Sequence, residues 1–213
     1  MQSLKLFPWQ KNKKKSTILK NEKNEELIQE LRSEGITDEK ILSAIRMVPR
    51  ELFTEKLDEA YENKALSVEC NQTLTQPFCT AFMISCLDLR PTNNVLEIGT
   101  GVGWTTAVIS KLVKTVFTME RFKKLLDSAK KNIAKLKIEN VQFKLGNGFE
   151  GWEDKILFDA IIIGAASEVV PIKLLESLKS NGRLVMPKKY DTGDQKLLLV
   201  TKKSGNFEQK ELL

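Results

Sequence analysis

The stretch NVLEIGTGVGWTT, residues 94–106, sets a short apolar strand against three glycines spaced two apart, after which a helical pattern begins. Val95, Leu96 and Ile98 suit a buried strand and Glu97 stands beside its end. Gly99, Gly101 and Gly103 free the backbone to turn tightly and to approach a ligand where a Cβ would collide, with Thr100 between them. Strand, glycine loop and helix in this order mark a nucleoside-cofactor site. A dinucleotide fingerprint wants its third glycine one place later, where this chain carries Trp104. An acid-x-GxGxG loop suits S-adenosylmethionine instead. Glu120 supports the reading: it closes the apolar run TVFTM and lies 21 residues beyond Gly99, near the separation at which such folds place a ribose-binding carboxylate. The plainer alternative takes GTGVG as a strand-to-helix turn and Glu120 as a helix-start charge.

Outward from this segment, strands are expected at 115–119, 141–145, 158–163 and 182–186, with helices at about 104–113, 121–136 and 171–179. That alternation predicts an α/β fold with a doubly wound, mostly parallel sheet. The runs QKLLLVTKK (195–203) and NFEQKELL (206–213) flank Ser204-Gly205 and predict a terminal hairpin, an antiparallel edge that brings the sheet to seven strands. Upstream, Leu27, Ile28 and Leu31 share one helical face that ends at Gly35, and Ile41, Leu42, Ile45 and Val48 share a second that Pro49 stops. Residues 50–75 show no clear period and read as loop, anchored by Tyr61 and Leu66, before a helix opens at Pro77. Residues 1–21 are expected to be a mobile basic tail. The remainder, 22–213, is expected to be a single domain: a helical and loop region over 22–90 and a cofactor-binding sheet over 91–213.

Composition narrows the chemistry. The 213 residues are 41% hydrophobic and 29% charged, and the longest wholly apolar run, AIIIGAA at 160–166, is too short to span a bilayer. With no membrane segment and no signal-type apolar block near the start, a cytoplasmic location is expected. Cys70, Cys79 and Cys86 are an odd number without a CxxC pair, which fits reduced thiols better than a disulfide framework or a metal site. The chain has no histidine, so imidazole bases, histidine triads and histidine-ligated metals are excluded. Alkyl transfer to a carboxylate survives this exclusion, because a carboxylate is already ionised at neutral pH and needs no base. The net charge of +6 is concentrated in Lys11, Lys13, Lys14, Lys15, Lys20 and Lys23. Without an aromatic stacking pattern or a base-reading motif beside it, this run reads as a solvated face, and nucleic acid is not expected as a partner.

Four further stretches arrive in a characteristic order: ILSAIRMVPRELF (41–53), NQTLTQPF (71–78), GNGFEGW (146–152) and FDAIIIGAA (158–166). With these and the glycine loop, the chain resembles the protein-L-isoaspartate O-methyltransferases from about residue 27 onward. The resemblance implies a Rossmann-like methyltransferase, a monomer, that moves the methyl of S-adenosylmethionine to the free α-carboxylate of isoaspartyl residues in damaged proteins or peptides. S-adenosylhomocysteine is released, and the ester then cyclises and reopens, partly restoring aspartate. Thr75 falls on the family's hydroxyl position, usually serine, where it would orient the substrate carboxylate. Read from the residues alone, Thr75 better suits the start of the helix at Pro77, a common use of threonine, and the resemblance reverses that preference. The resemblance also implies that Thr73, Leu74 and Gln76 cover the cofactor, that Glu97 supports the loop, and that Gly99, Thr100, Gly101 and Gly103 approach the methionine portion. Glu120 would accept from the ribose hydroxyls, Asn147 and Gly148 would lie along the adenine, and Gln195 would stand near the site, although it also reads as a plain strand start.

The chain departs from the family's pattern in places. Glu69, Cys70 and Asn71 stand where small or glycine residues are expected, with Glu69 able to repel an incoming carboxylate if it points inward. Asn147 replaces a usual aspartate, Gly164 a usual threonine, and the chain stops at ELL, short of a further VRF-like stretch. Two rivals follow. One is a nucleic-acid methyltransferase of the same fold, for which the Asn/Asp-Pro-Pro-aromatic signature is missing from GAASEVVP. The other is a non-catalytic relative that keeps the scaffold as a binding module.

Overall fold

The computed structural model describes residues 8–152 and 156–212, with side chains from residue 21 onward. Two helices lead, α1 (Pro8–Ser33) and α2 (Glu39–Met47). The first starts well before the expected Glu22. Pro8 occupies its first turn, where the missing N–H is no loss, and the lysines and glutamine that follow are good helix formers that carry no apolar stripe for periodicity to detect. The expected tail is therefore corrected to helix over 8–21, while residues 1–7 lie outside the described residues. At its far end Gly35, with φ +102°, reverses the chain, and the Ile36 N–H reaches back to the Leu31 carbonyl at 3.0 Å. Asp38 then caps α2 by accepting from the Lys40 N–H at 2.8 Å.

The expected loop over 50–75 holds more structure than its sequence shows. After a 3-10 turn at Arg50–Phe53, strands β1 (Leu66–Val68) and β2 (Gln72–Leu74) pair antiparallel, with Val68 opposite Gln72. Strands of three residues are too short to establish a period. Helix α3 (Pro77–Cys86) follows with proline at its start, as expected.

The main sheet contains β3 (Asn94–Ile98), β4 (Thr115–Glu120), β5 (Val141–Leu145), β6 (Phe158–Ile163), β7 (Leu178–Lys189), β8 (Gln195–Lys203) and β9 (Asn206–Glu211). Their spatial order is β5-β4-β3-β6-β7-β8-β9. The first five run parallel and the last two add antiparallel pairings, so the doubly wound sheet with its terminal hairpin is as expected. Helices α4 (Trp104–Ser110), α5 (Lys123–Lys135) and α6 (Ile172–Glu176) connect the parallel strands. The last is shorter than the expected 171–179 because the chain enters β7 early, at Leu178, and slips register between the Phe158 and Ala160 pairings.

Alternation along β3 decides where the chemistry lies. Val95 joins the core beneath α2, α3 and α4, whereas Leu96 and Ile98 join the core on the opposite face. Glu97 shares the Val95 face, so its carboxyl is carried under α4 and out of solvent. The chain order changes direction at β3, flanked by β4 on one side and β6 on the other. A doubly wound sheet opens its binding crevice at such a point, outside the carboxyl ends of the strands.

Candidate active site

A cleft of about 330 Å³ lies at that point, walled by Ile98 and Gly99 from the end of β3, Met119 and Glu120 from the end of β4, and Gly146–Phe149 after β5. Ala165 and Ala166 after β6, and Gln72 from β2, complete its rim. Of the residues expected at the cofactor, Gly99, Glu120, Asn147 and Gly148 therefore form its wall.

The glycine loop is held by the neighbouring strand. The N–H groups of Gly99 and Thr100 both reach the Met119 carbonyl, at 2.9 and 3.2 Å, and the Gly101 N–H reaches the Glu120 carboxylate at 2.9 Å. Gly101 has φ +54°, and a Cβ built there would meet nothing within 4 Å. That open space beside the cleft suits a bound cofactor. Gly103 differs: its φ is +95°, but a Cβ would come within 3.1 Å of the Ala129 Cβ, so this glycine serves the packing of the loop on α5.

Glu120 does more than was expected of it. One oxygen accepts from Gly101, and the other from the N–H groups of Arg121 and Phe122, at 2.9 and 3.0 Å. An ionised carboxylate offers about four lone-pair sites. Three are used by the backbone, which leaves one acceptor position unused. Gly148 is also constrained, since a Cβ there would lie 2.2 Å from the Ile98 Cγ2. Asn147 caps the following turn, its side-chain oxygen accepting from the Phe149 N–H at 3.2 Å.

Glu97 and Thr100 form a buried network behind the loop. The Thr106 and Thr118 hydroxyls donate to the Glu97 Oε2 at 2.5 and 2.6 Å, and Thr100 and Thr118 share a bond of 2.6 Å. Burial raises the Glu97 carboxyl from its ordinary value to about 7, against the two hydroxyl bonds, which lower it. Glu97 supports the loop from below and does not form the cleft wall.

Thr75 lies between β2 and α3, half-buried. Its hydroxyl makes no hydrogen bond within the described residues. Helix α3 is capped from elsewhere: the Phe78 N–H is taken by the Asn63 Oδ1 at 2.9 Å, and the Gln76 side chain donates to the Asn63 carbonyl at 2.9 Å. Gln72, on the cleft rim, is three residues upstream, a span of at most about 10 Å of extended chain. Thr73, Leu74, Thr75, Gln76, Thr100, Gly101, Gly103 and Gln195 do not form the cleft wall. Leu74 is buried in the core, Gln76 is engaged by Asn63, and Gln195 stands exposed opposite Lys189, at the same end of the sheet as the cleft.

The residues missed by sequence reasoning are those without a distinctive type, Met119 and Ala165 among them. The rule that doubly wound sheets bind ligands at their strand ends would have found both. The altered loop 69–71 has an explanation. Cys70 and Asn71 take φ +59° and +54°, the region usually given to glycine, and the Glu69 carboxylate is turned to the Lys124 ammonium at 2.7 Å instead of facing an incoming acid unpaired. A Cβ at Gly164 would meet the Gly99 oxygen at an ordinary 3.7 Å, so its glycine leaves room beside the loop. Among the described residues, no helix is long and apolar enough to cross a membrane, and no cluster of three ligand-type side chains offers a metal site.

Fold, crevice and glycine loop together define a Rossmann-like methyltransferase. Comparison with known proteins gives the particular kind. The sequence profile of the protein-L-isoaspartate(D-aspartate) O-methyltransferase family matches residues 21–213. A protein-L-isoaspartate O-methyltransferase of Aliivibrio fischeri is 47% identical over 189 residues, 88% of this chain and 90% of that protein. One from Dictyoglomus turgidum is 45% identical over 193 residues, covering 89% of this chain and 87% of that protein. Among solved structures, a protein-L-isoaspartate O-methyltransferase superposes with a TM-score of 0.82 at 30% identity, over 89% of this chain and 63% of that one. A Plasmodium falciparum protein, crystallised with S-adenosyl-L-homocysteine as a candidate member, gives 0.78 at 26% identity, over 88% and 93% of the two chains. The chain belongs to the protein-L-isoaspartate O-methyltransferase family.

Proposed function

We propose that the chain methylates the free α-carboxylate of isoaspartyl residues in damaged proteins, with Thr75 as the side chain that orients that carboxylate. The observation that carries the assignment is the idle hydroxyl of Thr75. The helix start beside it is capped by Asn63, and among the described residues nothing accepts from its hydroxyl. S-adenosylmethionine, when bound, supplies an electrophilic sulfonium methyl and leaves as S-adenosylhomocysteine.

The chain's own residues supply position and shelter. Open space at Gly101, the remaining acceptor direction of Glu120 and the wall of Gly99, Asn147 and Gly148 suit the nucleoside and the methionine arm. The Thr75 hydroxyl donates to one carboxylate oxygen and so aims the other, whose lone pair forms the new C–O bond as the C–S bond breaks. The carboxylate arrives ionised, which is why a chain without histidine suffices. Such catalysis is positioning and exclusion of water, not proton transfer. A cytoplasmic setting accords with three unbridged cysteines.

Labelled-methyl transfer to matched aspartyl and isoaspartyl peptides tests the reading. Thr75→Ala should lower kcat about tenfold to a hundredfold, the worth of a hydrogen bond to a charged group, with the affinity for S-adenosylhomocysteine kept. Gly101→Val should abolish both turnover and binding. Equal loss of cofactor affinity in the two variants, or methylation of both peptides alike, contradicts these roles.

A further inference from the structure

Arg50 opens the 3-10 turn after α2 and is only 1% exposed, yet no ion pair holds it among the described residues. Its Nη1 donates to the carbonyls of Ala60 and Glu62 at 3.1 and 3.3 Å, and its Nη2 to those of Lys64 and Thr75 at 3.2 and 2.9 Å. The guanidinium also lies over the Trp104 ring, its Cζ 4.9 Å from the centroid. Burial without a counter-ion lowers its pKa to about 10. Four backbone carbonyls and a ring face hold the charge there, while its Nε meets no partner among the described residues.

The arrangement joins the two halves of the site. Three of the carbonyls belong to the loop over 60–64, and the fourth is that of Thr75 itself. Trp104 is the first residue of α4, next to Gly103 of the glycine loop. One planar side chain thus bonds to the residue that carries the idle hydroxyl and stacks on the helix that carries the cofactor loop. Lysine has the charge but neither the fork nor the face, so it cannot make both contacts.

We propose that Arg50 is a positioning residue for methyl transfer, setting the Thr75 hydroxyl at its working distance from the glycine loop. The inference rests on the carboxylate-orienting role of Thr75. A residue needed only for folding would lower melting temperature and active fraction without depending on Thr75. A positioning residue should matter only while the hydroxyl is there to be positioned.

A double-mutant cycle separates these cases. kcat and KM for an isoaspartyl peptide, the Kd for S-adenosylhomocysteine and the folded fraction by circular dichroism are measured for Arg50→Lys, Thr75→Ala and the pair. Arg50→Lys should lower kcat about tenfold or more, as a misplacement on the order of an ångström does, while the Kd changes less than about twofold. In the Thr75→Ala background the same change should slow turnover less than about threefold. Should Arg50→Lys not fold, Trp104→Phe keeps a ring beneath the guanidinium with a weaker face, and should lower kcat several-fold in the wild type but not beside Thr75→Ala. If either variant slows the Thr75→Ala enzyme by its full wild-type factor, or leaves wild-type kcat intact, Arg50 is not a positioning residue. If Thr75→Ala alone turns over normally, the role of the threonine has failed, and this inference fails with it.

Discussion

Replacing Glu97 by glutamine should remove a pH dependence from stability, and its size follows from the carboxyl's surroundings. Glu97 is 2% exposed, its Oε2 is filled by two threonine hydroxyls, and its Oε1 meets no partner among the described residues. Desolvation pushes the carboxyl from 4.5 to about 7, the hydroxyls pull the other way, and Glu120 adds a smaller upward push. In the unfolded chain the group titrates near its ordinary value. Below that value both states hold the proton and the contribution to stability is complete. Between the two values the folded chain keeps a proton that the unfolded chain releases, so stability falls as pH rises and levels off above about 7. At about 1.4 kcal/mol per unit, the full loss is about 3 kcal/mol.

Glutamine has the same shape, does not titrate, and offers one oxygen to the same two hydroxyls. Its amide nitrogen, placed where Oε1 stands, carries a penalty that does not vary with pH. The gap in unfolding free energy between Glu97→Gln and wild type should therefore move by about 3 kcal/mol in favour of glutamine from about pH 4.5 to about pH 8. Urea unfolding at intervals of pH measures it, with the buried Trp104 as a fluorescence reporter. A gap that stays constant within about 0.5 kcal/mol would mean that Glu97 titrates alike in both states, and the argument from burial would be wrong.

Two further changes test the walls of the site. Gly148→Ala would drive a methyl to 2.2 Å from Ile98 and should destabilise the fold by about 1–3 kcal/mol while weakening S-adenosylhomocysteine binding, since both residues wall the cleft; unchanged melting and calorimetry would remove the packing argument. Cys70→Gly should raise stability by about 1 kcal/mol, because cysteine is held there at φ +59°, whereas Cys70→Ala should not; a gain from alanine equal to that from glycine would show that the thiol, not the backbone, is the strained element.

Much of this fold is legible because its signals are local. The strand at Asn94–Ile98 announces itself by apolar run, acid and glycines, and the β3-to-β6 alternation by period alone. The failures have in common that no local apolar period marks them. The lysine-rich first turns of α1 have no apolar stripe, so their helicity rests on propensity and on continuity with Leu27, Ile28 and Leu31 further along. β1 and β2 exist by pairing with each other across a three-residue turn. Glu97 reads locally as a loop support, but only the strand's alternation beneath α4 shows that it is sealed from water.

Thr75 shows how far local reading reaches before contact geometry takes over. A threonine two places ahead of a proline resembles a helix cap, yet proline at the first helical position puts the cap on the residue between them, Gln76. Thr75 is thus one place too early for the role that its sequence position suggests. What spacing cannot supply is the replacement. The first turn of α3 still needs an acceptor, and the Asn63 Oδ1 that answers it lies 15 residues upstream of Phe78, in the same loop whose carbonyls hold Arg50. One loop therefore performs two linked tasks: it caps the first turn of α3, and through Arg50 it anchors the backbone of Thr75. The hydroxyl is left unemployed on a backbone that Arg50 anchors, the arrangement on which the proposed orienting role depends.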